Sequence, residues 1–366
     1  MAENTPLRHV IIGAGASVYG MHAPAFQLET TQVVGLCDID PTRGKLRAEE
    51  LGVPFYTDYA PMLDELHPDV AVIITPHYCH AEITIASLRA GCHVLVEKPM
   101  ALEVTEADAM IAATQETGRL LAVNFQHRQR PEVQAARRLL DEGALGTPQR
   151  LEMVMPWPRT AAYYRQGTWR ATWWGEGGGV LMNQAPHDLD LACHLFGSPA
   201  RVSAWTRTRI HAIEVEDTAA ALLEWDNGAI GFLYATTAEG APKGEVKLVG
   251  TGGMLRLGWG DLTFERFDQD AAQFLRETDQ VWGSPTWHAV PVELAEGSGD
   301  HPAVYRNFHA AILHGAPISA DAVEGRKSLE LANAIIYSSK TGRPVDLPLD
   351  RDRYAALLAE LKGKAA

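Results

Sequence analysis

Residues 8–20 read Arg8-His9-Val10-Ile11-Ile12-Gly13-Ala14-Gly15-Ala16-Ser17-Val18-Tyr19-Gly20. An apolar run that stops at closely spaced glycines predicts a buried strand followed by a tight turn. There the backbone can approach a pyrophosphate, which then sits at a helix N-terminus. A second apolar run, Val33 to Cys37, ends at Asp38, the spacing at which an acid binds the adenosine ribose hydroxyls. Strand, loop and acid together predict a dinucleotide site made by Gly13, Gly15, Ala16, Ser17, Val18 and Asp38. Asp38 favours NAD because a carboxylate repels a ribose phosphate, while nearby Arg43 leaves NADP open. The third glycine of Gly-x-Gly-x-x-Gly is replaced by Val18. The competing reading is a glycine turn in an α/β protein without a nucleotide, with Asp38 only capping a loop.

Further apolar runs at Val70–Ile74, Val94–Val96 and Leu120–Val123 do not alternate with polar residues, which suits parallel strands buried on both faces. Helices fit between them. Asp40-Pro41 opens one that Gly52 ends; Glu82–Ala90 is another; Thr105 with Asp108 resembles a capping box opening a third, ended by Gly118. Beyond Phe125 the pattern changes. Helices are expected at Pro131–Leu140 and Leu181–Phe196. Strand candidates follow at Val202–Thr206, Thr218–Trp225, Ala229–Thr236, Glu245–Val249, Met254–Gly258 and Leu262–Phe267. Asp226-Asn227-Gly228 and Gly250–Gly253 read as hairpin turns. Two helices, Val304–Leu313 and Val323–Lys340, the latter capped by Asp321 and Glu324, are expected to close the chain. The fold class is therefore α/β. A doubly wound parallel Rossmann sheet spans residues 1–126, and an α+β domain with a large, mostly antiparallel open sheet spans residues 127–366. Helices cover one face of such a sheet, so the other is free to meet a second copy, giving a homodimer or homotetramer.

The chain has 366 residues, enough for two cores, and a formal charge of −14 from 32 basic and 46 acidic side chains. Nucleic-acid binding needs clustered Lys and Arg, and no such block occurs. The polar start, Met1-Ala2-Glu3-Asn4, has no signal-peptide core, and the apolar runs are too short to cross a bilayer, so a cytoplasmic location is expected. Cys37, Cys79, Cys92 and Cys193 form no Cys-x-x-Cys pair. Neither a disulfide framework nor a metal is expected.

At the end of the fourth strand candidate, Val94-Leu95-Val96-Glu97-Lys98-Pro99-Met100-Ala101 resembles the signature of the Gfo/Idh/MocA oxidoreductases, a group that includes inositol and glucose–fructose dehydrogenases. The resemblance extends through Thr75-Pro76 with His80, Asn124 to Arg128, Gly177-Gly178-Gly179, Asn183 to Asp190, and Tyr337 to Pro348. It implies a Rossmann domain followed by an open-sheet domain with the active site between them. On the cofactor side it implies Thr75, Pro76, His80, Glu97, Lys98 and Asn124, with the bond before Pro99 cis. It implies Lys98 beside nicotinamide and carbinol, and His187 as the proton-transfer residue. An ammonium stabilises charge developing on the carbinol oxygen, and a histidine exchanges a proton near neutral pH. Where the family often has Asp, four residues before the histidine, this chain has Asn183, which is assigned substrate hydrogen bonding. Asp190, one turn beyond His187, is placed to orient it. The glycine loop is one residue longer before His22 than is usual in the family.

Between Trp157 and Trp174 the chain is rich in Trp, Tyr and Arg. Aromatic faces stack on sugar rings while Arg and Tyr bind hydroxyls, so Trp157, Tyr164, Trp169 and Arg170, with Arg128, Asn183, Lys98 and His187, are the candidate carbohydrate contacts. The expected activity is hydride transfer between nicotinamide and a carbinol or keto carbon of a sugar, sugar derivative or cyclitol. The alternatives are a glycosidase or lyase using transient NAD-dependent oxidation, and a non-catalytic dinucleotide sensor.

Overall fold

The apolar runs of the first third become a six-stranded, wholly parallel sheet: β1 (Leu7–Ile12), β2 (Thr31–Cys37), β3 (Phe55–Tyr56), β4 (Val70–Ile73), β5 (His93–Val96) and β6 (Leu121–Val123), in the order β3-β2-β1-β4-β5-β6. This is a computed structural model, describing residues 5–240 and 244–364. Met1 to Asn4, read above as a polar start, lie outside the described residues. Every residue of β4 is buried, as expected of a strand covered on both faces. Helix Pro41–Leu51 follows its sequence signals. The Asp40 carboxylate accepts the Thr42 N–H at 2.9 Å, Pro41 occupies the first turn, and Gly52 takes a left-handed φ of 67°. The Thr105–Asp108 capping box does not form. Helix Val104–Thr117 starts one residue earlier, and Asp108 pairs with Arg326 at 2.6 Å.

Contacts divide the chain into two compact units: residues 1–126 with 174–177 and 299–329, and residues 127–173 with 178–298 and 330–366. The sequence reading placed helix Val304–Leu313 in the second domain. The helix runs from His301 to His314, and its buried stripe of Val304, Tyr305 and Phe308 joins Leu7, Ile11, Leu36 and Val72 in the first unit's core.

The same helix carries His309, whose Nε2 lies 3.0 Å from His9 Nε2. Its Nδ1 lies 2.7 Å from Thr30 Oγ1, and His9 Nδ1 lies 2.8 Å from the Leu7 carbonyl. Two neutral imidazoles complete this chain: Thr30 donates to His309, His309 to His9, and His9 to Leu7. Burial pushes His9 down to about 4 and His309 down to about 3. An unfolded histidine takes up its proton near pH ~6.5. From there down to about 4 the unfolded chain binds more protons than the folded one, so stability falls as pH falls. The thermal midpoint should therefore drop across that window, and His309→Gln should flatten the drop. A midpoint that ignores pH there would contradict the neutral pair.

The second unit holds a nine-stranded sheet: β7 (Pro148–Pro156), β8 (Arg201–Arg207), β9 (Thr218–Glu224), β10 (Ile230–Thr236), β11 (Glu245–Gly250), β12 (Gly253–Leu257), β13 (Leu262–Phe267), β14 (Trp287–Val290) and β15 (Val345–Asp346). Its order is β14-β13-β12-β11-β7-β10-β9-β8-β15, antiparallel except for β7 with β10. Gly228, at φ 83°, turns β9 into β10 as the Asp-Asn-Gly signal requires. β7 and β14 had no counterpart in the sequence reading. Two further expectations change. Leu181–Phe196 is not one helix but two, Val180–Asn183 and Pro186–Phe196, because Pro186 has no N–H to continue the first and instead opens the second. A third terminal helix, Arg351–Lys364, follows Val345–Asp346. Among the described residues no helix is long and apolar enough to cross a membrane.

Candidate active site

The glycine loop fits a dinucleotide. Gly13, at φ 96°, passes so close to β4 that an added Cβ would lie 2.8 Å from the Ile74 carbonyl carbon and the Thr75 nitrogen. A Cβ on Gly15 would lie 2.9 Å from Asp38 Oδ2, which already accepts the Gly15 N–H at 2.6 Å. These are the cradle and the acid that a pyrophosphate and a ribose require. Ser17 is exposed, and Ala16 and Val18 are half-buried. The helix after the loop is short, Tyr19–His22, and passes into a 3₁₀ turn at Pro24. Arg43 is exposed on helix Pro41–Leu51. Arg47, which the sequence reading missed, donates to the Ala14 and Ala16 carbonyls and stacks over Tyr19 at 4.0 Å. No spacing rule marks Arg47, since any basic residue on that helix face would serve.

Lys98 follows the C-terminal end of β5 and is half-buried. Its neighbours on both sides are fixed. The Glu97 carboxylate accepts the Lys98 N–H at 3.2 Å, and Asn124 donates its side-chain amide to the same carboxylate. His80, fully buried, places Nδ1 2.8 Å from the Pro99 carbonyl and Nε2 2.9 Å from the Thr75 carbonyl. The Lys98–Pro99 bond is cis. Glu97 and Asn124 thus hold the backbone at Lys98, while His80 ties the Pro99 carbonyl to that of Thr75. Pro76 precedes a short 3₁₀ turn, His77–Cys79, that leads into helix His80–Arg89.

In the second unit, Gly178-Gly179 leads into Asn183 and His187. A Cβ on Gly179 would lie 1.8 Å from the Glu216 carbonyl oxygen, so only glycine fits there. The Glu216 carboxylate accepts the Gly179 and Leu181 N–H groups at 2.8 and 3.1 Å. Burial nonetheless pushes it up to about 7. His187 is buried and stacks on His127 with ring centroids 4.3 Å apart. His127 meets Trp259 edge-on at 5.0 Å, and Trp259 meets Trp157 at 6.0 Å. The Trp157 indole donates to Asp188 at 2.7 Å. Burial pushes Asp188 up to about 7 despite that bond. The cleft shared by Trp157, Asp188, Arg130 and Trp259 holds ≈ 30 Å³, about one water's volume. The Trp157 N–H is thus engaged by Asp188.

Asn183 and Arg170 come together through Tyr163. The Tyr163 hydroxyl donates to Asn183 Oδ1 at 3.0 Å and accepts from Arg170 at 2.7 Å and from Gln184 at 3.0 Å. Arg170 also lies over the Trp169 ring at 4.7 Å. Tyr164 points elsewhere, its hydroxyl 2.7 Å from Thr237 Oγ1. Tyr163 and Gln184 were not among the sequence candidates, although the aromatic run contained the tyrosine. Arg128 grips Asp190 with two nitrogens, at 2.8 and 2.6 Å, both side chains fully buried. That ties down two residues which the sequence reading had assigned to substrate and to His187.

Comparison with known proteins agrees with this architecture. Residues 7–125 match the family model described as "Oxidoreductase family, NAD-binding Rossmann fold", and residues 133–256 match the GFO/IDH/MocA C-terminal domain. The D-glucoside 3-dehydrogenase of Escherichia coli K12 is 28% identical over 359 residues, covering 94% of this chain and 98% of that protein. The D-apiose dehydrogenase of Paraburkholderia graminis is 27% identical over 336 residues, covering 87% and 84%. The WlbA dehydrogenase of Bordetella pertussis, solved with NADH and UDP-GlcNAcA, superposes with a TM-score of 0.80 at 28% identity, covering 94% of this chain and all of that one. With its glycine cradle, its acid at the end of β2 and its lysine at the end of β5, the chain belongs to the Gfo/Idh/MocA family of oxidoreductases and has that family's NAD-binding Rossmann domain.

Proposed function

We propose that the protein is a cytoplasmic NAD-dependent dehydrogenase of sugars, sugar derivatives or cyclitols. Lys98 stabilises the carbinol oxygen as it becomes a carbonyl, and His187 exchanges its proton. Bound NAD supplies the hydride acceptor. The observation that carries this reading is Lys98 itself: a cation at the C-terminal end of a parallel strand, where such sheets bind ligands, with both flanking residues hydrogen-bonded. Relatives named for glucosides and apiose support a carbohydrate substrate. Asn183 and Arg170, gathered around Tyr163, and Trp169 under the Arg170 guanidinium offer the amide, guanidinium and ring that hydroxyl recognition needs.

The test is an absorbance assay of NAD and NADP reduction with alkyl glucosides, aldoses and inositols. Turnover of at least one of these with NAD is expected. Tight NADH binding with no turnover across the panel would favour a sensor instead. Asp38→Ala should narrow the preference for NAD over NADP by at least ~10-fold, by removing the carboxylate that repels a ribose phosphate. An unchanged ratio would remove Asp38 from the ribose site.

We also propose that the chain self-associates through the open face of the nine-stranded sheet. Trp205, Leu222, Ile230, Phe232 and Val154 are exposed there on adjacent strands, and clustered exposed apolar side chains mark interaction surfaces. Sedimentation at micromolar protein should show a dimer or tetramer, and only monomer would refute it.

A further inference from the structure

Next to Lys98, the Glu97 carboxylate is surrounded by buried ionisable side chains, His22, His301 and Tyr305, that have no assigned role. Glu97 Oε1 lies 3.1 Å from His22 Nε2 and 3.6 Å from His301 Nε2, and it also accepts the Asn124 amide. His22 and His301 meet edge-on with ring centroids 4.5 Å apart, and His22 Nδ1 lies 2.9 Å from the Tyr305 hydroxyl. One assignment of protons satisfies His22: Tyr305 donates to Nδ1, and Nε2–H donates to the carboxylate. Burial alone would raise the Glu97 carboxyl, but the contacts from His22 and His301 outweigh it and hold it well below the usual carboxylate range. Oε1 is thus held by imidazoles and amide, while Oε2 accepts the Lys98 N–H. Apolar side chains of the same volume would fill this space at less cost than a desolvated carboxylate. The charged group therefore calls for a reason beyond packing, and its second oxygen is bonded to the backbone N–H of Lys98.

We propose that His22 and His301 are positioning residues for Lys98. By gripping Glu97 from one side they fix the peptide from which the lysine side chain departs, so that the ammonium meets the substrate oxygen in one orientation. His301 reaches this place on helix His301–His314, and Tyr305 on the same helix fixes the tautomer of His22. The inference rests on Lys98 acting at the carbinol oxygen.

The test uses the full-length protein with His301→Ala, His301→Gln, Tyr305→Phe and, as a reference, Lys98→Ala. On a sugar that the wild type oxidises, His301→Ala should lower kcat by ~10-fold, because small misplacements of a reacting group are costly. KM and the NADH dissociation constant should stay within about twofold, as expected when only transition-state stabilisation is lost. His301→Gln, which keeps an N–H for the carboxylate, should restore most of the rate. Tyr305→Phe, which keeps the ring, should show a smaller loss of the same kind. A readout without substrate is the acetylation rate of Lys98 by acetic anhydride at one alkaline pH, followed by peptide mass spectrometry. That rate should change in His301→Ala and recover in His301→Gln, which also serves if the alanine variant fails to fold. Full turnover in Lys98→Ala would overturn the role of Lys98 itself. Lost turnover in Lys98→Ala beside unmoved kcat and labelling in His301→Ala would overturn the positioning alone. So would one equivalent of zinc in the wild type whose removal abolishes activity, since the three side chains would then be a metal site.

Discussion

Replacing Lys98 with alanine is expected to lower turnover by ~10²–10³-fold, the loss seen when a preorganised donor to a developing oxyanion is removed. Binding of NADH, followed by its fluorescence, should change little, because the glycine cradle and Asp38 lie on other strands of the sheet. His187→Ala should reduce turnover by ~10²-fold or more through loss of general base catalysis, again with nucleotide binding retained. A Lys98→Ala protein with wild-type kcat would end the proposed chemistry. Loss of NADH binding in parallel with activity would instead move Lys98 into the cofactor site.

The second large effect concerns Arg128. Its fork holds Asp190 inside the second unit with neither side chain reaching solvent. Arg128→Ala would leave a carboxylate buried without its counterion. Breaking such a pair from one side costs about 3–5 kcal/mol. For a unit of this size that is a drop of about 10 °C in the thermal midpoint. The double variant Arg128→Met with Asp190→Leu removes both charges and should recover most of the loss. A contact that served only the substrate would behave differently: Arg128→Ala would raise KM and leave the melting curve where it was. Denaturant titration alongside Michaelis kinetics separates the two.

The parallel sheet could be read from the chain because strands buried on both faces are continuous apolar runs, and the first two end at Gly13 and Asp38, at the edge that binds ligands. β7 was not legible. It carries Arg150 and Glu152, begins and ends with proline, and lies mid-sheet only because β10 and β11 pair with it. In the candidate site, local signals identified the glycine loop and Asp38. The partners that hold the site are remote. Arg128 finds Asp190 62 residues away, and His22 finds Glu97 75 residues away. Nothing in the periodicity of helix His301–His314 distinguishes His301 from an ordinary buried histidine. Its significance comes from Glu97 alone, and that pairing is a product of the tertiary fold.

The return of residues 299–329 to the first unit bears on how the protein is made. While synthesis is under way, the nucleotide-binding half waits for Tyr305 and Phe308, which are translated only after strands β7 to β14 of the second sheet. A fragment stopped at Gln126 would present Leu7, Ile11 and Leu36 without that cover and should stick to itself rather than fold. Gene fusions, split reporters or trimmed versions meant to capture nucleotide alone should therefore keep the late helix joined to the early strands.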